Sequence, residues 1–186
     1  MKLKTAIYYA SMFLGLDEVS ELIESGEVGD EEQEKEKAIL LRCANLVVSE
    51  IASDWIPLKT RESITVTGGE IEYTELKERV VDVYCIEDKV GNKIAFRELY
   101  DRIILENGEY VIEYSHLPSE MEMEDDLPFK KNSPSERVIA YGVACEYSII
   151  SGAAEEASVF EQRFTDGLNC ATRVKKEQKI KRRRWA

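Results

Sequence analysis

Histidine is almost absent: His116 is the only one in 186 residues. A multi-histidine metal centre is therefore excluded, and a histidine-driven nucleophile would have to rest on this single residue. His116 stands at the end of an extended segment, next but one to Pro118, with no serine or cysteine pattern around it that such chemistry requires. Paired cysteines are missing as well. Cys43, Cys85, Cys145 and Cys170 are far apart and each falls within an apolar pattern, which reads as buried, reduced thiols rather than a metal or redox site. No apolar run approaches the roughly 20 residues of a membrane span. The Met1 to Leu16 segment has two lysines and an apolar middle, but Asp17 and Glu18 follow at once and no small-residue cleavage site is present, so it reads as a helix and not a signal. No internal repeat is visible.

Positive charge is scarce until the last stretch. The chain carries −12 overall, while residues 173 to 186 hold eight basic residues and one acid; that stretch is +7, which leaves −19 on residues 1 to 172. An acidic body repels nucleic acid and membranes, whereas a basic tail reaches towards a partner of opposite sign. With 44 % hydrophobic and 33 % charged residues, the chain has material for a real core and a heavily solvated surface, so it reads as globular.

The most self-contained stretch is Asn132 to Thr172. Ser133, Pro134 and Glu136 form a helix start, with serine as cap, proline at the first helical position and glutamate closing a capping box. Val138, Ile139, Gly142, Val143, Cys145, Ile149 and Ile150 supply a broad apolar face, narrowed by Ala140, Gly142 and Ala144 so that another helix can approach. Ser151-Gly152 breaks the helix. Ala153, Ala157, Phe160, Phe164, Leu168 and Ala171 then recur at helical spacing, which predicts two antiparallel helices joined by a short turn.

Before this stretch the chain begins with helical patterns. Thr5 is a candidate cap for a first helix to about Leu14, Asp17 for a second ending at Gly26, and Asp30 for a long third helix led by Glu31, Glu32 and Glu34. At Ile56-Pro57 the pattern becomes extended. Ile64 to Thr67 and Glu70 to Tyr73 flank Gly68-Gly69 and predict a hairpin. Val80 to Ile86 is rich in β-branched residues, and Gly91-Asn92 turns into Lys93 to Arg97. Asn107-Gly108, between Arg102 to Leu105 and Tyr110 to Tyr114, predicts a second hairpin with a two-residue turn. Residues 117 to 131 are acidic and punctuated by proline. Glu120, Glu122, Glu124, Asp125 and Asp126 lack the spacing of a calcium loop and read as a surface loop.

The fold class expected is α+β: a discontinuous α-helical bundle from residues 1–55 and 117–172, an inserted antiparallel β module over 56–116, and an extended basic C-terminal arm over 173–186. Trp185 at the end of the arm, beside arginines, is the kind of residue that anchors an interface.

The order of these elements, the Ala-Ser-Asp-Trp that closes the third helix, Leu127-Pro128-Phe129, and above all Ala-Tyr-Gly-Val-Ala-Cys-Glu-Tyr at 140–147 with Phe-Glu-Gln-Arg-Phe at 160–164 resemble the head-to-tail adaptor proteins of tailed bacteriophages, of the tail tubular protein A or ring protein type. The resemblance implies a structural virion protein with no reaction and no cofactor: a ring of twelve copies beneath the portal protein, met by tail or nozzle proteins, with DNA passing through its lumen without specific binding. It would reside in the virion neck and, before assembly, in the host cytoplasm. The portal-binding residues expected are Lys179, Lys181, Arg182, Arg183, Arg184 and Trp185. The alternative is a cytosolic interaction protein whose basic tail binds nucleic acid; an enzyme working through paired carboxylates ranks third, because no pair among the 37 acids is singled out.

Overall fold

The structure, a computed structural model, describes residues 1–129 and 134–173. Helices and antiparallel strands occupy separate stretches of sequence, the α+β class. Five helices are α1 (Leu3–Phe13), α2 (Asp17–Ser25), α3 (Glu31–Glu50), α4 (Glu136–Ile150) and α5 (Ala154–Thr172). Between α3 and α4 run six strands: β1 (Leu58–Val66), β2 (Glu70–Glu72), β3 (Val80–Asp88), β4 (Arg97–Glu98), β5 (Arg102–Ile104) and β6 (Gly108–His116).

The start of α3 follows directly from local chemistry. The Asp30 carboxylate accepts the Glu32 and Gln33 amides at 3.0 and 2.9 Å, and the Gln33 side chain accepts the Asp30 amide at 3.0 Å, so three otherwise orphaned donors are satisfied. The helix then loosens into a π-turn, Ile51–Trp55, closed by the Ile56 amide on the Ile51 carbonyl at 2.7 Å. Pro57 forbids continuation.

Thr5 does not cap α1, which opens two residues earlier. Its first free amides are met instead by the acidic loop: Leu3 and Lys4 donate to the Asp125 and Met123 carbonyls at 3.1 and 3.0 Å, and Leu127 donates back to Met1 at 2.8 Å. The α4 start is also displaced from the expected capping box. The helix begins at Glu136, its first turn closed by the Val138 and Ile139 amides on the Ser135 carbonyl at 2.9 and 3.2 Å, and Ser135 makes no side-chain cap bond. Ser133 lies outside the described residues.

All five helices feed one apolar core. It includes Leu3, Ile7 and Ala10 of α1, Val19 and Ile23 of α2, Leu40, Ala44, Val47 and Val48 of α3, Ile139 and Val143 of α4, and Phe164 and Leu168 of α5. Met121, Leu127 and Phe129 of the acidic loop are buried in the same core. The α4–α5 pair is antiparallel as expected, with Gly142 against Phe164 and Gly167 against Val138. Ile149 and Ile150 are not part of its seam: they are 58 and 62 % exposed in the last turn of α4, where Ser148 takes the buried position.

Neither expected hairpin forms. Strands β1, β6 and β3 make one sheet in the order β1-β6-β3, and β2, β5 and β4 make another in the order β2-β5-β4. The reason lies in the register. Val66 stands opposite Gly108 and Glu70 opposite Ile104, so three residues intervene on each side and the pairing resumes unshifted. β1 with β2, and β5 with β6, are thus two long strands of one ribbon that bends at 67–69 and 105–107. Gly68-Gly69 and Asn107-Gly108 form the bend, joined by the Gly69 amide on Asn107 Oδ1 at 2.8 Å and the Leu105 amide on the Gly69 carbonyl at 3.0 Å. β3 pairs with the ribbon on one side of the bend and β4 on the other. The Gly91-Asn92 turn is present, but of Lys93 to Arg97 only Arg97 belongs to a strand. Ile64, Ile86, Ile103, Ile112 and Tyr114 form a second core between the sheets. Full burial of Ile86, Ile103 and Ile112 contributes roughly 1.5–3 kcal/mol apiece.

Candidate functional site

The predicted docking residues, Lys179, Lys181, Arg182, Arg183, Arg184 and Trp185, lie outside the described residues. Their point of departure is described. α5 ends at Thr172, whose hydroxyl donates to the Leu168 carbonyl at 2.9 Å, and Thr172 and Arg173 are both exposed.

His116 Nδ1 lies 3.0 Å from the Leu117 carbonyl and 3.9 Å from the Glu78 carboxylate, a local contact at the end of β6. Three acids of the 117–131 loop are engaged: Glu124 meets Lys4 of α1 at 3.3 Å, Asp126 meets Lys2 at 3.4 Å, and Asp125 accepts the Glu122 amide at 2.7 Å. A depression of about 770 Å³ at the ribbon bend is lined by Phe96, Leu105 and Asn107 with Arg97 and Glu106 as its ionisable groups.

Two charged groups on opposite flanks of the α4–α5 pair stand out. On the first, Tyr141 of α4 stacks between Phe13 and Phe160, with ring centres 4.9 and 6.5 Å away. Arg137 and Arg163 both place their guanidinium carbon 5.6 Å from the Tyr141 ring centre, and Arg137 Nε donates to the Tyr141 hydroxyl at 2.9 Å. Burial alone would raise the Tyr141 phenol; the two guanidinium groups outweigh it and hold the phenol below its ordinary value. Arg61 holds Glu87 and Glu113, and Arg102 holds Glu70 and Asp101, whereas Arg42, Arg79 and Arg97 are exposed and, among the described residues, in no ion pair. Among the described residues, Arg137 and Arg163 are exposed and in no ion pair.

On the other flank, Glu50 of α3, Asp54 of the π-turn, Glu146 of α4 and Glu161 of α5 converge. Glu50 is pushed above the ordinary carboxylate range, first by burial and then by Glu146, Asp54 and Glu161. The Cys145 thiol beneath them is pushed up to about 11 by burial and then by Glu146, Glu161 and Glu50. A carboxylate whose folded-state pKa is raised costs stability once ionised; that cost is present above the folded pKa and disappears as pH falls below the unfolded value. Asp88 and Asp101 have the opposite sign. They are lowered by hydrogen bonds from Asn92 and Arg102, and what they contribute is lost as pH falls. Glu50→Gln should therefore raise the melting temperature at pH 7. Because Glu50 stays exposed, screening limits the gain to a few tenths of a kcal/mol, about 1 °C. Thermal melts at pH 7 and in the acidic carboxylate range check it: the advantage over wild type should vanish at the lower pH, and an advantage that grew there would contradict the assignment.

Tyr141, Glu146, Glu161 and Arg163 fall within the stretches that carry the resemblance, but the sequence groups them into neither site. Arg137 and Tyr141 are four apart on one helix, a signal present in the sequence, whereas Arg163 joins them only through the register of the α4–α5 pair. The acids come from three separate elements. The chain matches no protein-family profile and no curated protein.

Proposed function

We propose that the chain is a structural head-to-tail adaptor of a tailed bacteriophage, whose work is assembly and not reaction. In this reading the helices of residues 1–55 and 117–172 are one discontinuous bundle, residues 56–116 an inserted β module, and residues 173–186 an extended basic arm. The bundle forms a ring of twelve copies beneath the portal protein, the module meets neighbouring copies or tail and nozzle proteins, and the arm docks on the portal through Lys179, Lys181, Arg182, Arg183, Arg184 and Trp185. DNA passes through an acidic lumen that offers its phosphates no cationic hold. The protein then resides in the virion neck.

The observation that carries this reading is the division of charge: a body of −19 from whose exposed helix end a stretch of +7 departs. Opposite charge speeds the arm's encounter with an acidic groove, and a buried indole slows release. Closure of the ring turns weak individual contacts into a strong joint one by raising effective concentration.

The test is a pull-down from a lysate of producing cells with the full chain, the chain lacking residues 173–186 and Trp185→Ala, each confirmed folded by circular dichroism. Full-length bait should recover a portal-sized protein, the truncated chain none, and Trp185→Ala far less. Undiminished recovery by the truncated chain would overturn the docking role of the arm. Recovery of nucleic acid alone, steeply weakened by salt and indifferent to Trp185→Ala, would replace the adaptor reading with that of a nucleic-acid-binding tail.

A further inference from the structure

We infer that Arg137, Tyr141 and Arg163 form a docking site for carboxylates of a second copy of this chain, whose opposite flank supplies them from Glu50, Asp54, Glu146 and Glu161. The inference shares with the adaptor reading only the premise that copies associate.

The site is prepared for a carboxylate. The Tyr141 hydroxyl occupies one donor of Arg137 at 2.9 Å, both guanidinium carbons stand 5.6 Å from the Tyr141 ring centre, and Phe13 and Phe160 stack against that ring. Among the described residues neither guanidinium is in an ion pair, and the donors not turned to the Tyr141 hydroxyl can engage a carboxylate. A guanidinium already seated on a ring loses less freedom on binding than a free one, which favours association. What sets Arg137 and Arg163 apart from Arg42, Arg79 and Arg97, which are also unpaired among the described residues, is that both stand 5.6 Å from the centre of one tyrosine ring.

The occupant follows from charge and placement. Contacts between the two flanks act at short range, whereas the mutual repulsion of two acidic bodies is spread over their surfaces and screened beyond about 8–10 Å at moderate salt. The same chain carries the matching carboxylates on its other side, in no ion pair among the described residues. Helix residues advance by about 100° each, so Arg137 and Glu146, nine apart, face opposite ways on α4, and Glu161 and Arg163, two apart, diverge nearly as far on α5. The contacts agree: Tyr141 meets α1 through Phe13, while Glu146 acts on Glu50 of α3. A copy with cations on one flank and anions on the other associates head to tail, the contact that generates rings when its rotation closes.

Sedimentation velocity of the full chain over a range of concentrations, at low and high salt, tests this with two charge reversals: Arg137→Glu with Arg163→Glu, and Glu50→Lys with Glu161→Lys. Wild type should form species that grow with concentration and shrink with salt. Each reversal alone should weaken association about tenfold or more. An equimolar mixture of the two should restore association that neither variant shows alone, because the intact acidic flank of one meets the intact arginines of the other and the two reversed flanks again carry opposite charge. Arg163→Gln, which keeps the Arg137–Tyr141 hydrogen bond, should weaken association in the same direction with an unchanged melting temperature.

Wild-type association undiminished in both reversals would overturn the inference and leave the adaptor ring to another surface. A wild type monomeric at every concentration would also overturn it, and the portal pull-down would then judge the adaptor reading separately. Binding of a labelled single-stranded oligonucleotide that is lost in Arg163→Gln, without self-association, would overturn it in favour of a phosphate site.

Discussion

Asn45→Leu should lower the melting temperature by roughly 6–12 °C, a loss of about 3 kcal/mol. Asn45 is a polar residue in the middle of α3, and its side chain is committed to the acidic loop. Its amide donates to the Leu41 carbonyl at 3.1 Å and to the Met121 carbonyl at 3.0 Å, while its oxygen accepts the Met121 amide at 2.8 Å. Met121 is buried, so the loop's backbone at this point has exchanged water for a single side chain. Leucine keeps much of the volume and none of the hydrogen bonds, leaving a donor and an acceptor unpaired at roughly 1–3 kcal/mol each. Because the same loop caps the first turn of α1, loss of this clip should also speed hydrogen exchange at Leu3 and Lys4. A shift below 2 °C, with unchanged exchange at those two amides, would show that water replaces the asparagine and that the clip is not what holds the loop.

This clip illustrates what a sequence conceals. The loop's acids announce a solvated segment, and they are mostly exposed. Its fixed points are Met121, Leu127 and Phe129, which at irregular spacing form no periodic pattern, and an asparagine 76 residues away. The start of α3 was legible because Asp30 and Gln33 satisfy donors within one turn of themselves. The two hairpins were misread for the converse reason. Asn-Gly and Gly-Gly state that the backbone bends, but not which strand lies beside it. Constant register across the bend, which makes β1 with β2 and β5 with β6 one ribbon, is a property of two segments read together.

The candidate site divides along the same line. The basic arm is a matter of composition and is plain in the sequence. The Arg137–Tyr141–Arg163 face and the four acids opposite it depend on how α3, α4 and α5 are set against one another. Each of these side chains alone reads as ordinary surface charge or core aromatic. Their convergence in three dimensions gives them meaning.

Gly142→Leu should cost more than any of the other substitutions, about 4 kcal/mol or a fall of roughly 8–16 °C. Glycine in the middle of a helix is ordinarily a liability, about 1 kcal/mol worse than alanine. Here it marks where three helices meet. A Cβ at position 142 would stand 2.8 Å from Val47 Cγ1 of α3 and 2.9 Å from Phe164 Cε2 of α5, closer than carbon atoms pack. Val47 and Phe164 are both buried in the core, 1 and 6 % exposed, so neither has open space to retreat into. A leucine adds three further carbons to a position that does not admit the first. Gly142→Ala sets the gain in helix propensity against the same contact, and overpacking of this kind costs about 1–3 kcal/mol, so a modest net loss is expected. Val47→Ala removes the atom nearest the new Cβ. If the close approach is the cause, Gly142→Ala combined with Val47→Ala should be less destabilised than the two single losses added together, by about 1 kcal/mol in a double-mutant cycle. Strict additivity in denaturant melts, or a Gly142→Ala variant more stable than wild type, would mean that α3 and α5 stand further from α4 than this packing places them.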